Sequence, residues 1–191
     1  MCVLGSGSEG NATLLMTPEL HVLIDVGFFP DELAARLDGT GAGWASLDAI
    51  VLTHTHGDHI KKKCLPYCVE HEIKFVCHEN HAEQLAGGRY FKRLCERGLL
   101  WTFDGQSPFE LSRLGWNKTN GVACEDGCLL RFHPIQVPHD RPPTFGFRIE
   151  ARIARAPDAA NGAADAHRWV KLGYLVDLGC CADSVLNSVA D

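Results

Sequence analysis

An α/β fold is what this sequence predicts, on three observations. Short apolar strands separated by turns open the chain, strands alternate with amphipathic segments through its middle, and strands dominate again from Leu129 onward. At 191 residues, the length suits a single domain spanning 1–191 that buries roughly 70% of its unfolded surface.

The elements follow in order. Cys2 to Leu4, Ala12 to Met16 and His21 to Asp25, with a turn at Pro18-Glu19, predict a β-meander. Pro30 and Asp31 then open a helix whose Leu33, Ala34 and Leu37 share one face and which Gly39 stops. A buried strand is expected over Ala49 to Thr53, a helix through Lys61–Lys63 disturbed at Pro66, a strand over Ile73 to Cys77, and a helix from His81 to Arg97. Three strands are expected over 129–137, 144–153 and 169–179. Residues 156–166, rich in Ala, Asp and Gly, read as a solvated surface insertion. No internal repeat is visible.

Composition narrows the function classes. Hydrophobic residues at 46% and charged residues at 22% are globular values, and the net charge of −6 provides no broad basic surface for a polyanion, so nucleic-acid contact must be local. No stretch approaches the ~18 apolar residues of a membrane span, and the first ten residues lack a secretory pattern. Nine cysteines, an odd number without a secretory signal, point to free thiols in the reducing cytoplasm. Cys64/Cys68 and Cys124/Cys128 do not have the spacing of a zinc knuckle.

The most informative segment is Ile50-Val-Leu-Thr-His54-Thr-His56-Gly-Asp58-His59. An apolar strand ends in a run of four potential metal ligands, which is how a rigid element presents an ion site. In extended chain His54 and His56 point to the same side and can hold one ion with neutral imidazoles. Gly57 is expected to turn the backbone sharply, carrying Asp58 and His59 to a face suited to a second ion.

HTHGDH resembles the signature of the metallo-β-lactamase superfamily. Leu23-Ile-Asp25-Val-Gly27 resembles the strand whose Asp orients the metal-binding loop, although alone it would also pass for an Asp-x-Gly turn. Val137-Pro-His139-Asp140 resembles the strand end whose His completes a three-His site; by itself His139 would read as a surface histidine. Gly173-Tyr-Leu-Val-Asp177-Leu-Gly179 resembles the strand whose Asp bridges both metals, and alone would be another turn carboxylate. The opening Gly5-Ser-Gly7-Ser-Glu-Gly10-Asn11 contains GxGxxG, but strand rather than helix follows, against a dinucleotide fold. It is similar to the SGSxGN segment of the YycJ/WalJ-like branch, associated with exonuclease and phosphodiesterase chemistry; a plain glycine turn between strands is the alternative.

The resemblance implies a four-layer αββα sandwich, incomplete at its C-terminus. It also implies zinc as the cofactor, two ions in an intact relative and one held securely here, with manganese or iron as alternatives. His54, His56, His139 and Asp177 would form the first ion site, and Asp58, His59 and shared Asp177 the second, with Asp58, His59 and Asp177 in the catalytic role of activating a hydroxide. The last His of the family pattern is absent, since no histidine follows His167. The second ion is therefore expected to be held more weakly, and the second sheet to expose an apolar face or a strand edge that a further segment or oligomerisation would cover. The implied substrates are phosphodiesters, including nucleic-acid ends. Thioesters, lactones or other esters are alternatives, as is an inactive metal-binding interaction module. Ser8, Asn11, Lys61 and Asp140 are the candidate substrate contacts, though three lysines at 61–63 more often form a solvated helix face.

Two groups look like decoys. His71, His78 and His81 crowd together, but His78 and His81 are three residues apart rather than the four of HExxH, so a strand end capping the next helix is favoured. Cys180 and Cys181 follow Asp177 closely and read as buried small hydrophobes.

Overall fold

The computed structural model describes residues 1–112, 115–118, 130–139, 143–154 and 167–178. Two sheets lie face to face. The first has six strands in the order β1 (Cys2–Gly5), β2 (Ala12–Met16), β3 (His21–Ile24), β4 (Ala49–Val51), β5 (Lys74–His78) and β6 (Leu100–Phe103). β1 to β3 are the expected antiparallel meander, and β3 to β6 run parallel. The second sheet is antiparallel, in the order β11 (His167–Tyr174), β10 (Thr144–Ala154), β9 (Leu130–Val137), β7 (Phe109–Ser112) and β8 (Gly115–Lys118).

Strand alternation divides the core into two layers. Leu14, Leu23, Ile50 and Phe75 face the helices, where Leu33, Leu37, Leu65, Phe91 and Leu94 cover them. Their neighbours Leu15, Val22, Ile24, Val51 and Val76 face the second sheet and meet Phe103, Phe109, Phe132, Phe145 and Phe147. Strands β3 to β5 are therefore apolar on both sides, as parallel strands between two layers must be. Among the described residues this makes three layers, helices on one sheet and that sheet on another. The far face of the second sheet is charged: Arg131 bridges Glu110 at 2.7 Å and Glu150 at 3.4 Å. Exposed apolar side chains on that sheet, Trp169 and Val170, sit on the edge strand β11.

Several expected boundaries move. The helix expected to be disturbed at Pro66 begins there instead: Lys62–Cys64 form a 3-10 turn and α2 (Leu65–Glu70) carries Pro66 in its first turn, where a missing N–H costs nothing. α1 (Pro30–Asp38) is as read. The single helix expected over 81–97 is two, α3 (Glu79–Leu85) and α4 (Arg89–Glu96), divided around Gly87 and Gly88. Strands β6, β7 and β8 lie where no strand is expected. The insertion at 156–166 and Cys124, Cys128, Cys180 and Cys181 lie outside the described residues. No helix among the described residues is long and apolar enough to cross a membrane.

Phe132 is fully buried, stacked on Phe109 with ring centroids 5.0 Å apart and edge-on to Phe147 at 5.6 Å. Replacing it by Ala is expected to cost about 3–5 kcal/mol, read from the urea midpoint.

Candidate metal centre

The chemistry gathers at strand ends. Asp25 follows β3, Thr53 to His59 follow β4, His139 follows β9, Asp177 follows β11, and Asn11 precedes β2. The parallel strands β3 and β4 end side by side, and Phe145 N–H donates to the Thr53 carbonyl at 3.2 Å, joining the second sheet to the first at this point.

Asp25 organises the floor. Fully buried, it accepts the Thr53 backbone N–H and the Thr53 hydroxyl, each at 2.8 Å, and His59 Nδ1–H at 2.7 Å. The Thr53 hydroxyl, having donated to Asp25, accepts from His54 Nδ1 at 3.1 Å. Both rings are thereby held as Nδ1–H tautomers, with the Nε2 lone pairs turned into the centre. Burial, and then the neighbouring imidazoles of His59, His56 and His139, push His54 down to about 2, so it stays neutral across the physiological range. For His59, burial opposes the charged ring, but the hydrogen bond and charge of Asp25, then the charges of Asp177 and Asp58, outweigh it and raise its proton affinity.

Two donor sets result. One donor atom each from His54, His56, His139 and Asp177 lie within 4.8 Å of one another, and so do those of Asp58, His59 and Asp177. Asp177 Oδ2 lies 3.3 Å from His54 Nε2 and 2.8 Å from His59 Nε2, which places this carboxylate in both sets. The residues fit a divalent cation on two grounds. His54 Nε2 is buried beside Asp177 yet makes no hydrogen bond, and His56 Nδ1 faces His139 Nε2 at 3.1 Å, two imidazole nitrogens aimed at one region. Three imidazoles and a carboxylate are a typical zinc donor set.

The turn after His56 differs from its expectation. Gly57 has no left-handed φ, and a Cβ there would meet open space, so the turn does not need a glycine. The left-handed positions among the candidate site residues are Asp25 (φ 63°) and Asp177 (φ 49°), a conformation Asp tolerates better than most residues. The glycine that matters is Gly27: a Cβ there would collide with the Asp58 carbonyl and Asn11 N, because Gly27 N–H donates to Asn11 O at 2.9 Å and Asn11 N–H to Asp58 O at 2.7 Å.

The remaining candidates separate. Asn11 reaches the second set, with Nδ2 3.0 Å from His59 Nε2. Ser8 is exposed in the hairpin turn. Lys61 Nζ lies over the Phe29 ring, 5.4 Å from its centroid, with Lys63 on the same ring at 5.1 Å, so these ammonium groups stack on an exposed aromatic. Asp140 lies outside the described residues. His78 accepts Asn80 N–H at 3.2 Å as the cap of α3, and buried His81 Nε2–H donates to the Pro143 carbonyl at 2.8 Å. Thr53 was not anticipated. A hydroxyl next to the first His at a strand end was the available signal, but its role depends on Asp25, 28 residues away.

These strand-end His and Asp residues on a mixed two-sheet core make the chain an α/β protein with a candidate metal centre. The family model of the beta-lactamase superfamily domain matches residues 21–178, and the chain belongs to that superfamily. The exodeoxyribonuclease WalJ of Streptococcus pneumoniae is 38% identical over 58 residues, 30% of this chain and 22% of that relative. Among solved structures, a beta-lactamase from Chitinophaga pinensis superposes with a TM-score of 0.52 at 18% identity, covering 88% of this chain and 56% of that one. A metallo-beta-lactamase with a HARLDQ motif from Cronobacter sakazakii gives 0.50 at 17%, covering 77% and 55%. The chain spans little more than half the length of these structures, and at such identities they share its fold.

Two outcomes follow from this geometry. Gly27→Ala is expected to cost about 1–3 kcal/mol or more in urea unfolding, because backbone rather than a flexible side chain blocks the added methyl. His81 is pushed down to about 4 from 6.5 by burial, its Nδ1 having no partner. The unfolded chain therefore binds the extra proton between those values: stability is full above pH 6.5 and falls toward pH 4, by up to ~3 kcal/mol from this group. His81→Gln, which keeps an N–H for Pro143, should flatten that part of the stability profile.

Proposed function

We propose that this protein is a metal-dependent hydrolase of phosphodiesters, including those at nucleic-acid ends. The observation that carries the reading is the pair of donor sets sharing Asp177, each gathered within 4.8 Å. Divalent cations bound there would lower the pKa of a water toward ~7 and offset negative charge on the attacked group. Zinc suits the imidazole-rich set best, and manganese or iron also take such donors.

The chain's own residues do the rest. Thr53 and Asp25 hold His54 and His59 with their Nε2 lone pairs presented, so neither ring must turn to bind. His54 and His59 form the buried floor, whereas the Asp58, Asp177 and His139 side chains are 28%, 29% and 17% exposed and mark the side from which a substrate arrives. The phosphodiester class is supported by the likeness to an exodeoxyribonuclease. With a net charge of −6, contact with a nucleic acid would be confined to this opening.

The test compares a chromogenic phosphodiester with a thioester under added zinc or manganese. Phosphodiester turnover that a chelator abolishes, and that His56→Ala lowers by at least ~100-fold together with ion binding, is expected. Preferential thioester cleavage would overturn the substrate class. Metal-independent turnover, or a folded chain that retains no ion, would overturn the metal reading.

A further inference from the structure

Asn11 is 6% exposed and wedged between the first hairpin turn and the metal loop. Its Oδ1 accepts Gly7 N–H at 3.0 Å while Nδ2 donates to the Gly7 carbonyl at 3.1 Å. Those two bonds fix the amide orientation, since a flipped amide would set oxygen against oxygen and N–H against N–H. One Nδ2 hydrogen remains, and it faces Asp58 O and Asp58 Oδ2, each at 3.3 Å, and His59 Nε2 at 3.0 Å.

His59 Nε2 has one lone pair. It belongs to the second donor set, where Nε2 pairs with Asp177 Oδ2 at 2.8 Å or would hold a cation, so it is not open to the Asn11 N–H. Asp58 Oδ2 is the acceptor that remains when that lone pair is taken. A carboxylate whose Oδ2 accepts from Asn11 leaves Oδ1 free.

We propose that Asn11 is a positioning residue for the second donor set: with its amide fixed by Gly7, it gives its remaining N–H to Asp58 Oδ2, deciding which carboxylate oxygen is offered to a cation. This rests on the metal reading above. It also supplies an interaction to a set that has three ligand side chains among the described residues.

The test is a titration of the metal-stripped protein with cobalt, followed by d–d absorbance and by melting temperature, in wild type, Asn11→Ala and Asn11→Asp. Wild type should take up two ions. Asn11→Ala should weaken the second about 10- to 100-fold while leaving the first within about twofold. Asn11→Asp should do the opposite. Its second oxygen would stand near the Gly7 and Asp58 carbonyl oxygens and destabilise the stripped protein, yet add a donor to the set. It should therefore bind the second ion more tightly than wild type, with a larger rise in melting temperature on loading. A merely structural role would lower stability in both variants without splitting the two ions. Equal weakening of both ions, no change in Asn11→Ala, or Asn11→Asp behaving like Ala would overturn the assignment. Should Asn11→Ala fail to fold, Asn11→Asp against wild type decides it. Wild type binding one ion only would overturn the role of Asn11 alone, whereas wild type binding none would overturn the metal reading with it.

Discussion

The buried carboxylate of Asp25 is the interaction on which the arrangement depends. Removing a carboxylate from water is costly unless donors replace the lost hydration, and here a backbone N–H, a hydroxyl and an imidazole N–H do so, all from the segment after β4. The same three bonds fix Thr53 and His59, and through Thr53 they fix His54. One group thus sets the tautomers of two rings and the path of the loop between them. Its left-handed φ lets the chain leave β3 at this point and pass directly to the Gly27 contact.

Electrostatics at the opening work in the other direction. Burial, and then its imidazole neighbours, hold His54 neutral. A carboxylate 3.3 Å from His54 and 2.8 Å from His59 supplies negative charge, which favours a proton or a cation at His59. The site therefore gathers imidazole and carboxylate donors around one region, which suits a small cation.

Much of this could be read from the residues. The density of His and Asp after an apolar strand marked the metal loop, and the resemblance supplied His139 and Asp177, which no local pattern would have singled out. The sandwich of two sheets came from the resemblance, whereas the apolar run from Ala49 to Leu52 marked only a buried strand. The misses have separate physical causes. Pro66 reads as a disturbance because composition does not locate the helix start, and the Gly87-Gly88 break is hidden by a helical period that continues on either side. Gly57 drew attention as the glycine inside the motif. The steric demand instead falls on Gly27, since close approach of Asn11 and Asp58 is a long-range fact that spacing does not encode. Thr53 was overlooked for the same reason: its hydroxyl acquires meaning only once Asp25 is placed beneath it.

The double-sided burial of β3, β4 and β5 has a further consequence for how the molecule breathes. Strands enclosed by apolar layers on both faces expose their amides only when most of the domain opens, whereas β1 and β11, at the sheet margins with Val3, Trp169 and Val170 in solvent, can fray independently. The turns that carry Asp25 and His54 to His59 are thus suspended from the slowest-exchanging part of the chain, whereas Asp177 follows the marginal β11 and shares its looser footing.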